Sequence, residues 1–149
     1  MGKLGSSLRT FVLIPAVVLA WEFFFTNGRM HFSAWAAPLM LWGYLQYKLV
    51  GRYRTRLGGG GPGMKTMPER LVTEGPYAYT RNPMYLGHLI FLAGLALTLH
   101  SALAALIAVA SAVFFHLRVR KDERRLSERF GAGYAAYCMR VKRWIPGVL

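Results

Sequence analysis

Four long apolar stretches, Leu8 to Phe25, Phe32 to Val50, Met84 to Leu99 and Ala102 to Leu117, are set apart by short or strongly polar segments. A helix needs roughly 20 apolar residues at 1.5 Å rise to cross about 30 Å of hydrocarbon. The first two stretches meet that length. The last two are nearer 16 residues each and are joined only by His100 and Ser101. They predict a tight antiparallel hairpin whose ends use interfacial residues such as Tyr85 and Arg118; the same hairpin buried in a soluble core is the alternative. Beyond Leu117 the chain is charged from Arg118 to Arg129, then mixes aromatic and small residues. Phe130, Tyr134 and Tyr137 fall at helical spacing, which predicts an amphipathic helix at headgroup depth. The expected fold is therefore all-α: an integral membrane bundle of four transmembrane helices with a C-terminal amphipathic interfacial helix, forming one domain over residues 1–149.

The basic residues orient that bundle. Two lie before or at the start of the first stretch (Lys3, Arg9), seven lie between Lys48 and Arg81, and nine follow from Arg118 onward, whereas Arg29 is alone in the first turn and the His100-Ser101 turn has none. The positive-inside rule then predicts a multi-pass protein with both termini and the long middle loop in the cytoplasm. A formal charge of +13 would suggest nucleic acid in a soluble chain, but here the charges sit between apolar runs that make up much of a 54% hydrophobic sequence. Anionic membrane headgroups are the expected partners, and nucleic acid is not. Lys3 and Arg9 ahead of an apolar run also fit a secretory signal, yet Glu22 and Phe23-Phe24-Phe25 occupy the place of a small-residue cleavage site. With Cys138 the single cysteine, no intrachain disulfide or thiolate cluster can form. The middle loop, opening on Arg52, Arg54 and Arg56 and running through Gly58-Gly59-Gly60-Gly61-Pro62-Gly63, is expected to be a mobile connector; it lacks the strand and Gly-Lys-Ser/Thr of a phosphate loop.

Chemistry concentrates in two segments. In Gly75-Pro-Tyr-Ala-Tyr-Thr-Arg-Asn-Pro-Met-Tyr-Leu-Gly87, Asn82 is a favoured N-cap and Pro83 a favoured first helical residue, so a helix should start there. Its free N–H groups, with Arg81 beside them, would attract an anion at the membrane surface. The second segment, Lys121-Asp122-Glu123-Arg124-Arg125-Leu126, follows the fourth stretch. A hairpin brings the two together, and an anion-binding helix start facing Asp122 and Glu123 suits an amino-acid zwitterion. The bland alternatives are an ordinary helix start anchored by tyrosines and a solvated face with pairs such as Asp122 with Arg125.

The ordered combination of Arg81-Asn-Pro-Met-Tyr-Leu-Gly87, Asp122-Glu123-x-x-Leu126 about 35 residues on, Phe130-Gly131-x-x-Tyr134-x-x-Tyr137 and Val141-x-Arg143-Trp-Ile-Pro146 resembles the isoprenylcysteine carboxyl methyltransferase family, and shares much with the related phospholipid N-methyltransferases. The resemblance covers residues 71–146. It implies a membrane methyltransferase that uses S-adenosylmethionine, with binding roles for Arg81, Asn82, Pro83, Tyr85, Leu86, Gly87 and Glu123. Asn82 stands where the family usually has histidine, and Asp122 replaces the first glutamate of its acidic pair.

With that cofactor, Tyr77, Tyr79 and Tyr85 could face a sulfonium, because cations are drawn to ring faces. Asp122 would share the ammonium with Glu123, and His88, one turn after Tyr85, could line the same pocket. Arg143 could orient an acceptor carboxylate by a bidentate contact, and His116, seven residues before Glu123, is the fallback base. Methyl transfer from a sulfonium is an in-line displacement; a carboxylate acceptor is already ionised at neutral pH, whereas an ammonium must first lose a proton. No obvious base stands beside the motif, which leans toward an isoprenylcysteine-like carboxylate over a phosphatidylethanolamine-type amine. The acceptor is expected to be lipophilic and to meet the site at the cytoplasmic face. A non-catalytic protein that binds anionic lipid is the reading from another class. No histidine pair has metal-ligand spacing with carboxylates, so no metal is expected. Glu22, within the first stretch, should point inward or reach the surface.

Overall fold

A computed structural model describes residues 5–61 and 66–145, with the side chain of Ser6 excepted. Lys3, Pro62, Gly63 and Pro146 therefore lie outside the described residues. The first helix, α1, covers residues 6–25 as an α-turn at Ser6–Leu8, a π-helical stretch at Arg9–Leu13 and a regular α-helix at Ile14–Phe25. A 3₁₀ turn at Ala34–Ala36 leads into α2 (Ala37–Gly58); α3 is Pro83–Leu99 and α4 Ala102–Arg140. No strand occurs among the described residues, and the fold is all-α as the apolar pattern predicts.

Two boundaries differ from expectation, for the same reason. The second helix does not stop at Val50 but runs to Gly58, carrying Arg52, Arg54 and Arg56 on helix rather than loop. The fourth does not stop at Leu117: it continues through the charged stretch as far as Gly131, where a non-helical residue separates it from the C-terminal helical segment that runs on to Arg140. Polarity ends a membrane span without ending a helix; the glycine run from Gly58 and the kink at Gly131 do that, while the single Gly51 is accommodated inside α2. At Gly131 the backbone turns sharply, with φ 51° and ψ −126°. That conformation is open to glycine at little cost and strained for any other residue.

The described residues form two compact units, those up to 45 with 87–112, and those of 46–86 with the ones from 113 onward. In the first, Val18, Leu95, Leu99 and Ala104 make a buried core with Ile14, Met40 and Ile107 packed against it. Glycines let α2 and α3 approach closely: a Cβ on Gly43 would meet the Phe91 nitrogen at 2.5 Å and the Gly87 oxygen at 2.6 Å, and one on Gly94 the Met40 nitrogen at 2.8 Å. In the π-helical stretch Phe11 stacks on His88, centroids 4.7 Å apart, and meets Tyr44 and Phe91 edge-on. His100 takes the left-handed conformation, φ 49°, in the two-residue turn between α3 and α4. Ser101 in that turn donates to Glu22 Oε1, so the carboxylate inside the first apolar stretch has a hydroxyl partner.

In the second unit Tyr134, Tyr137 and Val141 form a buried core with Leu71, Leu126 and Phe130. The glycine run, expected to lack one shape, is ordered where it is described. The Gly58 carbonyl accepts from Glu69 and Arg70 N–H groups at 2.7 and 2.9 Å, and Gly59 and Gly60 hold positive φ where a Cβ would strike Glu69 or the Met67 carbonyl.

Many outward-facing residues are apolar, with Phe24, Trp35, Leu41, Trp42, Leu106, Val109 and Leu117 all more than half exposed. Surface of that kind fits hydrocarbon rather than water. Among the described residues α4 is long and apolar enough by itself to cross a membrane; α3 is apolar but has 17 residues.

Gly43→Ala is expected to lower stability by about 1–3 kcal/mol, because backbone atoms on α3 cannot move aside as a side-chain tip can. Gly133→Ala, whose Cβ would meet nothing within 4 Å, should be neutral or slightly stabilising. Thermal unfolding of both variants in detergent checks the pair.

Candidate active site

The start of α3 is tied to the last described residues of the chain. Arg81 N–H donates to the Lys142 carbonyl at 3.0 Å, while the Arg143 carbonyl accepts from Thr80 Oγ1 at 3.0 Å and from Asn82 Nδ2 at 3.2 Å. Asn82 is where the helix begins, its carbonyl accepting from the Leu86 N–H, and its side-chain amide serves the C-terminal segment. The Pro83 carbonyl, at the first helical position, accepts from Gln46 Nε2 at 2.9 Å.

This stitching delivers Arg143 to α4. Its Nη2 lies 2.7 Å from Glu123 Oε2, and its Nε 3.1 and 3.0 Å from the two carboxylate oxygens. Arg81 Nη2 reaches Glu123 Oε1 at 3.2 Å, with both side chains largely buried. Glu123 is thus held between two guanidiniums, and its hydrogen bonds raise the pKa of Arg143 further. On the neighbouring residue of α4, Asp122 Oδ2 accepts from the Tyr85 hydroxyl at 2.7 Å, which in turn accepts from Arg118 Nε at 3.0 Å; Arg125 lies 4.0 Å from Asp122 Oδ1. The two motifs that the hairpin was expected to join do meet.

Beside these groups lies a cleft that opens to the surface. Tyr77, Tyr85, Tyr134 and Tyr137 give it aromatic walls, Met67, Leu71, Val72, Met84 and Leu126 an apolar lining, and Arg54, Arg81, Arg125, Asn82 and Asp122 its polar groups. Tyr137 donates to the Tyr77 carbonyl at 2.7 Å. Burial pushes the Tyr77 phenol up to about 12 and raises those of Tyr134 and Tyr137 as well.

Of the residues singled out by sequence, Tyr77, Arg81, Asn82, Tyr85 and Asp122 line this cleft. Glu123 does not, but holds Arg81, which does. Arg143 is engaged with Glu123 rather than standing open to an acceptor. His116 does not line the cleft; its Nδ1 accepts from the Trp144 indole at 3.3 Å. Tyr79 is exposed, Pro83 and Leu86 make helix-start contacts, and Gly87 and His88 pack in the other unit. Sequence reasoning missed Arg54 and Arg118. Arg54 is buried on α2, donating to the Thr66 and Gly61 carbonyls at 3.0 Å. Tyr47, Val50, Gly51, Arg54 and Gly58 are all buried, so helical spacing carried past Val50 would have placed Arg54 on the inward face.

The family described as phospholipid methyltransferase matches residues 34–133. The chain belongs to that family. It is 34% identical over 118 residues to a cobalt-zinc-cadmium resistance protein of Cupriavidus metallidurans, covering 76% of this chain and 52% of that protein. It is 38% identical over 80 residues to protein-S-isoprenylcysteine O-methyltransferase B of Arabidopsis thaliana, covering 53% of this chain and 41% of the plant enzyme. The chain therefore spans about half the length of the curated relatives it matches. Its fold is that of the eukaryotic intramembrane Ras methyltransferase, isoprenylcysteine carboxyl methyltransferase, at a TM-score of 0.67 and 23% identity over 99% of this chain and 55% of the other. Tyr77, Tyr85 and both acidic residues lie within the family match, and Tyr134 and Tyr137 just beyond it.

Removing the charge at Glu123 leaves Arg81 and Arg143 facing one another. Glu123→Gln should cost about 2–3 kcal/mol, less than the roughly 3–5 of a fully buried pair because Arg143 is partly exposed; denaturant unfolding measures it, and Arg143→Lys should cost less. The raised phenol of Tyr77 stabilises the fold below its ordinary value of about 10, and that contribution is lost as pH climbs through about 12. Tyrosinate absorbance should therefore lag behind that of free tyrosine until alkaline unfolding, and Tyr77→Phe should shift that unfolding to higher pH.

Proposed function

We propose that the chain is a membrane-embedded methyltransferase that binds S-adenosylmethionine in the tyrosine-lined cleft and methylates a lipophilic carboxylate. The observation that carries the reading is Arg81. It lines the cleft, its Nη2 is fixed by Glu123, and its buried Nε has no hydrogen-bond partner among the described residues. A buried donor left in that state is costly, and a ligand carboxylate would satisfy it.

Asp122, which faces the cleft, would take the ligand ammonium; Glu123, already engaged by two arginines, acts by holding Arg81 in place. The ring faces of Tyr77, Tyr134 and Tyr137 suit a purine and a sulfonium. When bound, S-adenosylmethionine supplies an electrophilic methyl group that a nucleophile takes by in-line displacement. The cleft's part is to align the reactants and exclude water, for which an apolar lining and fixed side chains are the means.

Its charged lining, three arginines against one aspartate, favours an anionic acceptor. No histidine is among the described residues that line it, and the tyrosines are held protonated, so a base for an ammonium acceptor is lacking there. An isoprenylcysteine-like carboxylate needs none. The description of the matching family favours the second reading, an amine on a phospholipid headgroup. By the distribution of basic residues, both termini and the cleft face the cytoplasm, with anionic headgroups around them.

Detergent-solubilised protein incubated with labelled S-adenosylmethionine should pass label to a farnesylated cysteine analogue and far less to phosphatidylethanolamine. Arg81→Ala should weaken cofactor binding at least tenfold, about 1.4 kcal/mol, and Arg56→Ala, exposed on α2, should leave it unchanged. Label on neither acceptor, or equal effects of the two substitutions, would overturn the assignment.

A further inference from the structure

Gly131 does more than end a helix. Because α4 turns there, its two arms flank an open groove walled by Leu117, Arg120, Lys121 and Arg124 on one side and by Ala135 and Cys138 on the other. Arg120, Lys121 and Arg124 are exposed, and among the described residues no carboxylate pairs with any of them. Glu123, the carboxylate lining the groove, is neutralised by Arg81 and Arg143. Three cations therefore stand uncompensated in one concave surface.

What lies beside them identifies the ligand. Val113, Leu117, Arg120 and Arg124 follow one another at spacings of four, three and four residues, which places them on one face of α4. Val113 and Leu117 are 58% and 60% exposed. That face passes from hydrocarbon-compatible to cationic within one helical turn, roughly 5 Å, the distance over which a phospholipid passes from acyl chain to phosphate. A soluble anion would use the cations and leave the apolar half idle. A choline or ethanolamine headgroup would bring its own cation against three others.

We propose that this groove binds one anionic phospholipid, its phosphate among Arg120, Lys121 and Arg124 and an acyl chain along Leu117 and Val113. The lipid is a bound partner and not the methyl acceptor, and the site requires only that α4 enters a bilayer, whatever the cleft does.

Native mass spectrometry of the detergent-solubilised chain titrated with phosphatidylglycerol, phosphatidylcholine or inorganic phosphate tests it without any activity readout. One phosphatidylglycerol should be retained in preference to phosphatidylcholine. Arg120→Ala with Arg124→Ala should weaken that retention about 25-fold, from roughly 1 kcal/mol per basic residue, and Arg124→Gln alone about fivefold. The charge-matched control Arg129→Ala with Arg140→Ala, outside the groove, should change it less than about twofold. Val113→Ser with Leu117→Ser should weaken phosphatidylglycerol too, which a purely ionic patch would not show. Equal losses in the groove and control variants, equal retention of phosphatidylcholine, or displacement by inorganic phosphate would each overturn the proposal.

Discussion

Glu123 is the point through which the second unit is tied together. Its carboxylate receives Arg81 from the start of α3 and Arg143 from the C-terminal segment, while its own backbone belongs to α4. Three segments remote in sequence thus meet on one side chain. An ion held this far from water is tolerated only when its hydrogen-bonding capacity is filled, and two guanidiniums do that. A backbone bond from Arg81 to Lys142 keeps the geometry from depending on side chains alone, and the side chains of Thr80 and Asn82 add two bonds to the Arg143 carbonyl. Asp122 is then left to the cleft, fixed in turn by Tyr85 and Arg118. Adjacent acidic residues have different tasks because a helix turns successive side chains by about 100°, from one wall to the next.

Packing elsewhere follows from the absence of a hydrophobic drive between helices in lipid. Where the outside is as apolar as the inside, helices adhere by close approach and by polar pairs. Gly43 and Gly94 supply the approach, and Ser101 with Glu22 supplies such a pair. Bulk is turned outward instead, as the exposed phenylalanines of residues 23–25 show.

Much of the fold was legible in the sequence because it is written in local terms. Apolar length gave the helices, Asn82-Pro83 gave the start of α3, and a two-residue link gave the hairpin that joins both motifs. The two long helices were cut short because polarity was read as a terminus, and with α2 went Arg54. Arg143 was legible as a functional candidate but its partner was not: Gly131 marks a possible break, but not the direction in which the chain leaves it.

The sequence by itself thus determined where helices form, where they start and that the chain carries the family's ordered motif. These depend on residues within a turn or two of one another. Only the tertiary structure decided that Arg81 and Arg143 share Glu123, that Asp122 rather than Glu123 faces the cleft, and that Arg120, Lys121 and Arg124 remain uncompensated. Such facts depend on which charges become neighbours and on how much water stays between them, and both are set by the packing of segments that the sequence keeps far apart.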